Sequence, residues 1–381
     1  MSVIERTQQP VKRKERAVLA DQPAEEAVPG SSPWPWRVGA LLVTVVFPLI
    51  WFGGLVTSSD AGMAVPDWPG TYGYNMFLYP FSSWFFGPWD FFLEHGHRLI
   101  GSTAGLVAIG LLATCIRCDQ RRWVWWLSGG LLLLVIFQGL LGGLRVVIDA
   151  RTIAKLHGCV GPAFFASAAA FCVVLSRWWR DQGIQASRSA SAGRAPLALG
   201  PAERQVWRGA HLWLALSFTQ LVIGAFLRHV GVDGSPQGFQ HLVYTHVALA
   251  CIVLGGTHLY AGRVRRLPGV EPRIRSAARW LSALVTLQFL LGLSTWIVKY
   301  NWPSWLDSWT WTAQFVIPEK TMWQTNIVTL HVAIGSAIVA CWAVLTVRCW
   351  RVFGLAEKAA AGAELSAERA ERWQIGQGTT G

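Results

Sequence analysis

HRLIGSTAGLVAIGLLATCI, residues 97–116, decides the fold class. Apart from Arg98 in its first turn the stretch is uncharged. About 20 such residues in an α-helix span the roughly 30 Å hydrocarbon core of a bilayer. Seven further runs share this character, at 38–58, 123–143, 157–176, 209–227, 243–262, 280–298 and 324–346. The run 209–227 is the weakest, being short and carrying His211 and Gln220. Composition agrees: 52% of residues are hydrophobic and 14% charged, against roughly 25% charged in soluble domains. Mean hydropathy is +0.36. An ordinary cytosolic, fibrous or disordered chain is excluded. The expectation is an all-α polytopic membrane protein with eight transmembrane helices.

The formal charge of +12 invites a nucleic-acid reading. It fails because the basic residues sit in short loops between apolar runs instead of forming a patch on a polar domain. Of the 33 Lys and Arg, 26 fall on the side shared by the two chain ends. The positive-inside rule therefore places both termini in the cytoplasm of a cell whose inner membrane the chain crosses. Residues 1–37 read as a cytoplasmic tail, 177–208 as a basic cytoplasmic linker and 347–381 as a second tail. Between them lie two four-helix halves, 38–176 and 209–346. Gln138-x-x-Leu141-Gly142 recurs as Gln288-x-x-Leu291-Gly292, and more loosely as Gln220-x-x-Ile223-Gly224. This echo predicts two pseudo-symmetric four-helix bundles. The seven cysteines suggest no disulfide framework. Cys115 and Cys118 read either as a redox pair or, preferably, as two small side chains at a helix end.

Four of the nine histidines stand near the outer ends of the even-numbered runs: His97, His157, His246 and His331. That gives one pair per half. Neutral imidazole is a common axial ligand of haem iron, and facing helices can clamp a porphyrin. Polar groups in lipid are costly and tend to be functional. Stray interhelical hydrogen bonding is the plainer reading of any one histidine, but it explains a matched set of four poorly. Zinc is disfavoured, because no Cys, Asp or Glu stands at ligand spacing. Glu94 shares a helix face with His97 and Arg98, whereas His95 points elsewhere. Two readings of Glu94 stand open: proton handling at a membrane pocket, or a simple pair with Arg98. The segment Thr57–Tyr74 is too rich in Gly and Pro for a continuous helix and could lid an outer site. Phe81–Leu93 reads as an interfacial helix carrying Trp84 and Trp89. Arg145, Arg151, Lys155 and Arg228 lie on that same side, positioned for anionic groups or lipid heads.

Six blocks together resemble the haem A synthase family. They are GGLVTSSDAGMAVPDWPGTYGYNMFLYP (53–80), EHGHRLIGSTAG (94–105), QGLLGGLRV (138–146), KLHG (155–158), YTHVALA (244–250) and TLHVAIG (329–335). The resemblance covers nearly all of 38–346. It implies two pseudo-symmetric four-helix halves. It implies a haem b held by His246 and His331, and a substrate haem O at His97 and His157, with Glu94 catalytic. The implied reaction oxidises the C8 methyl of haem O to a formyl group by successive hydroxylations, the oxygen coming from water or by a monooxygenase-like route, with an unidentified electron acceptor. A haem O synthase would act upstream and cytochrome oxidase assembly downstream. Some family members carry a cysteine pair in the first outer loop. This chain has no Cys from 1 to 114, so it resembles the cysteine-lacking subgroup.

Two rival functions use the same features. A bis-histidine membrane cytochrome b would hold two permanent haems and turn over none, leaving Glu94 and the long 59–96 loop without a task. A haem transporter or chaperone is compatible with a repeat, although broken helices at mid-membrane are not evident. The porphyrins extracted from the protein separate these readings.

Overall fold

The computed structural model describes residues 32–191, 199–229, 235–300 and 321–378. It is all-helical in its regular elements, with one isolated bridge between Thr71 and Tyr74. The helices are α1 (Trp34–Ser58), α2 (Phe81–Phe85), α3 (Trp89–Cys118), α4 (Arg122–Val147), α5 (Arg151–Leu175), α6 (Arg177–Ser191), α7 (Pro201–Arg228), α8 (Pro236–Arg266), α9 (Pro272–Tyr300) and α10 (Met322–Gly378). A single 3₁₀ turn, Met76–Leu78, precedes α2. Among the described residues, eight helices are long and apolar enough to cross a membrane: α1, α3, α4, α5, α7, α8, α9 and α10. The chain is an all-α polytopic membrane protein.

Local chemistry sets the helix starts. Pro201 and Pro236 occupy the first turns of α7 and α8, where a missing N–H costs nothing. The Ser235 hydroxyl accepts from Gly238 N–H, and the Glu271 carboxylate accepts from the N–H groups of Arg273 and Ile274 at the start of α9. Pro48 and Pro162 lie inside α1 and α5, positions tolerated where packed neighbours support the freed carbonyls.

In chain order, α1 packs on α3, α3 on α4, α4 on α5, and α5 closes back on α1. Likewise α7 packs on α8, α8 on α9, α9 on α10, and α10 closes on α7. The two rings meet where α10 lies against α5 and α1. Lipid tails are as apolar as leucine, so these helices associate through close packing more than through escape from solvent. Small residues allow it: Ala104, Ala108, Ala168 and Ala340 are buried, and a Cβ at Gly39 would come 3.1 Å from Cys172 Sγ. Large side chains such as Leu106, Leu133, Leu259 and Leu290 stay exposed, as lipid-facing positions should.

The boundaries differ from the sequence expectation in several places. Phe81–Leu93 is not one helix, because Gly87 and Pro88 separate α2 from α3. Membrane helices α3, α5 and α8 begin well before the apolar runs at 97, 157 and 243, so their histidines sit inside helices rather than opening them. The basic segment 177–208 contains a helix, α6, and α10 continues without a break to Gly378, well past 346.

Candidate functional site

The four histidines form two facing pairs. His97 on α3 and His157 on α5 have ring centroids 6.3 Å apart, with planes at 75°. His246 on α8 and His331 on α10 are 6.4 Å apart, at 67°. Each ring leans on a glycine of another helix: Gly53 of α1, Gly142 of α4, Gly224 of α7 and Gly292 of α9. A Cβ there would lie 2.9, 3.0, 3.0 and 3.2 Å from the Cε1 of His97, His157, His246 and His331 respectively. Any larger residue would push the imidazole aside.

The recurrent glutamines sit beside these contacts. Gln138 Nε2 donates to the His157 carbonyl and Gln220 Nε2 to the His246 carbonyl, each at 2.9 Å. Gln288 Nε2 lies 3.4 Å from His331 Nε2. In the first repeat the corresponding place, four residues before Gly53, holds Leu49, so the pattern has three amides in four repeats.

The donor set suits haem iron. His157 Nδ1 is 3.1 Å from the Gln138 carbonyl, which can only accept. The proton therefore sits on Nδ1 and leaves Nε2 as a free donor atom. His97 and His331 make the matching backbone hydrogen bonds, to Leu49 and Gln288. Metal–nitrogen bonds of about 2 Å on opposite sides of one ion, with half a ring at each end, give about 6 Å between imidazole centroids. Both pairs match that figure. Among the described residues no group of three or more His, Cys, Asp or Glu converges, so the ligand set of a compact zinc site is not built.

Glu94 is buried one turn before His97. Its Oε1 accepts from Arg98 at 3.0 Å, Oε2 accepts from Val65 N–H at 3.0 Å, and Arg145 stands 3.7 Å away. The simple pair with Arg98 is present, but it is part of a larger clamp. The Arg98 guanidinium also donates to the carbonyls of Val65, Asp67 and Gly70, at 2.8, 2.7 and 3.1 Å. It thereby fastens the 59–88 loop over the end of α3. Trp68 fills the space beside Gly143, where even a Cβ would collide with its indole. His95 faces away from the pair, as its spacing predicts. It is buried among Tyr79, Trp84 and Phe91, with Nδ1 3.1 Å from the Thr71 hydroxyl.

Two of the basic residues tie helices to the same end. Arg145 donates to the Gly62 carbonyl at 3.0 Å. Arg228 donates to the Gly54 carbonyl and the Ser58 hydroxyl, at 2.7 and 2.8 Å. A Cβ on Gly54 would meet Thr329, two residues before His331, while adjacent Gly53 abuts His97. One turn of α1 thus touches the surroundings of both histidine pairs. Lys155 lies over the Phe226 ring.

The Asp67 carboxylate organises the loop's tight turn, accepting from Tyr72 N–H at 2.7 Å and Gly73 N–H at 2.9 Å. Partial burial pushes its pKa up, but these backbone bonds and the Arg98 charge outweigh that and hold it below 3.8. A carboxyl with a depressed folded-state pKa stabilises fully above its unfolded value and loses that contribution as pH falls through the folded one. The loop is therefore expected to keep its amide protection from neutral pH down to about 4, and to open only in stronger acid. Hydrogen exchange at residues 67–74 measures this, and Asp67→Asn should abolish the acid step.

Eight membrane-length helices, two facing histidine pairs and a clamped buried carboxylate define a polytopic membrane protein with two paired-imidazole sites. A family profile described as "Cytochrome oxidase assembly protein" matches residues 86–232, which include Glu94, His97 and His157 and stop before His246. The chain is also 30% identical over 173 residues to the heme A synthase of Shewanella oneidensis, covering 42% of this chain and 50% of that protein. The chain thus spans about half the length of the curated relative it matches. Both similarities bear out the resemblance to the haem A synthase family that the motifs carry.

Proposed function

We propose that this protein is a haem A synthase that oxidises the C8 methyl of haem O to a formyl group, with water supplying the oxygen and a separate acceptor taking the electrons, within an inner membrane and with both termini cytoplasmic. The observation that carries the reading is the pairing of His97 with His157 and of His246 with His331, at nearly equal spacing. Among the described residues, only the first pair has a buried acid one turn away. In this reading 38–176 and 209–346 are two halves of one pseudo-symmetric plan. The first takes haem O as substrate and the second keeps a haem b. A haem b bound by His246 and His331 would supply one-electron chemistry.

The remaining work falls to this chain's own groups. Gly53, Gly142, Gly224 and Gly292 set the depth of the four rings. Gln138 and Gln220 hold the helix turns that carry His157 and His246. Gln288 competes for His331 Nε2, so its amide must turn away, as those of Gln138 and Gln220 already do. The clamped 59–88 loop keeps water from the first pair. Glu94 takes protons released as the methyl is oxidised, and Arg98 and Arg145 hold its carboxylate in place. Haem O synthase would supply the substrate, and cytochrome oxidase assembly would consume the product.

Removing ligands one at a time tests the division of labour. His331→Ala should purify without haem b. His97→Ala should retain haem b yet make no haem A. Loss of haem b in both variants, or in neither, would contradict the assignment.

A further inference from the structure

At the end of the bundle opposite the 59–88 loop, α6 lies against α10 and the two enclose an open groove of about 820 Å³. Its walls carry Arg180, Arg188 and Arg351, together with Ile184 and Leu355, and no acid. The helix forming one wall is firmly placed. Trp178 Nε1 donates to Glu271 at 3.0 Å, and buried Trp179 stacks on Trp350 with centroids 5.6 Å apart. Arg351 is anchored through Nε, which donates to the Trp179 carbonyl at 2.9 Å, and its guanidinium lies 4.5 Å from that indole. Its terminal nitrogens stand at Gly183, where a Cβ would collide with Nη2. Glycine at 183 thus leaves the arginine fork along the groove wall.

The local charge is unbalanced. Asp119 is the carboxylate that serves this corner, and it already binds Arg121 at 2.7 Å before reaching Arg180 at 3.3 Å. Burial pushes the Asp119 pKa up, but hydrogen bonds from Arg121 and the charges of Arg121 and Arg180 prevail and keep it ionised. Asp119 thus pairs with Arg121 and Arg180, and among the described residues no carboxylate pairs with Arg188 or Arg351. Asp181 and Glu357, on the same two helices, are exposed and lie off the groove wall. The groove sits where α5 leaves its membrane-length stretch and where α10 is still within its own. Tryptophans 179 and 350 mark it as interfacial.

We propose that this groove binds the phosphodiester head of an anionic glycerophospholipid. Arginines grip the phosphate oxygens through their planar forks, and Ile184 and Leu355 meet the upper acyl chain. The lipid would bridge α6 and α10 and so brace the contact between the two rings. Neither histidine pair is involved, so the proposal is independent of the catalytic reading.

The test is native mass spectrometry of the full chain in detergent, titrated with phosphatidylglycerol, phosphatidylcholine or inorganic phosphate. Phosphatidylglycerol should be retained in preference to phosphatidylcholine. Arg188→Gln, an exposed change that leaves the packing intact, should weaken retention about fivefold, the effect of one interfacial charge. Arg351→Gln should weaken it further. Equal retention of both lipids, or no response to Arg188→Gln, would overturn the proposal. Displacement of the lipid by inorganic phosphate would keep the phosphate chemistry but reject a lipid as the occupant.

Discussion

Replacing Gly224 with leucine is expected to strip the second histidine pair of the haem b proposed for it, whereas Gly255→Leu leaves that haem bound. A Cβ at Gly224 would already approach His246 Cε1 to 3.0 Å, so a leucine must displace the ring. Displacing or misorienting a metal-bound histidine typically costs about 10–100-fold in affinity. A Cβ at Gly255, on the same helix as His246, meets nothing within 4 Å. That change only replaces a poor helix former with a good one on an open face. Haem content per protein after purification reads the difference, with elution volume as the folding control. Gly224→Ala should fall between: a methyl needs the ring to yield by a few tenths of an ångström, which alters the absorption spectrum before it empties the site.

Glu94 should show two separable losses. Glu94→Ala leaves Arg98 and Arg145 without their shared carboxylate and Val65 N–H without its acceptor. Breaking a buried pair from one side costs about 3–5 kcal/mol. Arg98 bears most of this, since Arg145 is 22% exposed and partly screened. The cost falls on the 59–88 loop, which should become cleavable by protease at its Gly- and Asp-containing turns. Glu94→Gln is the informative companion. Its single amide oxygen can keep one of the two donors, Val65 N–H or Arg98, which reach different carboxylate oxygens, so the loop should loosen less than in Glu94→Ala while the proton-binding group is gone. Loss of haem A with a loop less open than in Glu94→Ala assigns Glu94 to proton transfer. Retained activity in Glu94→Gln would leave it only a structural anchor.

The membrane helices were legible because each must satisfy its backbone internally and show lipid an apolar face. Their ends were less so, for a physical reason. Hydropathy falls where polar residues gather: around the candidate site at the start of α3, and at charged ends such as Glu203, Arg204 and Arg208 at the start of α7. Glu94, His95, His97 and Arg98 hid the first two turns of α3. The histidine pairs were readable as a spacing pattern, since one histidine recurs in each even-numbered run. The glycine beneath each ring had a weaker trace, the Gln-x-x-x-Gly echo, whose meaning needed the neighbouring helix. The Arg98 clamp had none: its acceptors are loop carbonyls, and carbonyls carry no side-chain signature. The Ala-, Glu- and Arg-rich composition of 347–381 is compatible with a partly helical tail, but the full extent of α10, like the whole of α6, offers no apolar run to read.

On the function proposed above, the first histidine pair, with Glu94, is where haem O is oxidised. The most direct test is extraction and chromatography of haems from cells making this protein together with a haem O synthase. Wild type should accumulate haem A, and Glu94→Gln should accumulate haem O or a partly oxidised intermediate, with haem b still bound in both. Haem b alone from wild type, with added haem O unchanged, would contradict the account and leave a membrane cytochrome or a haem carrier.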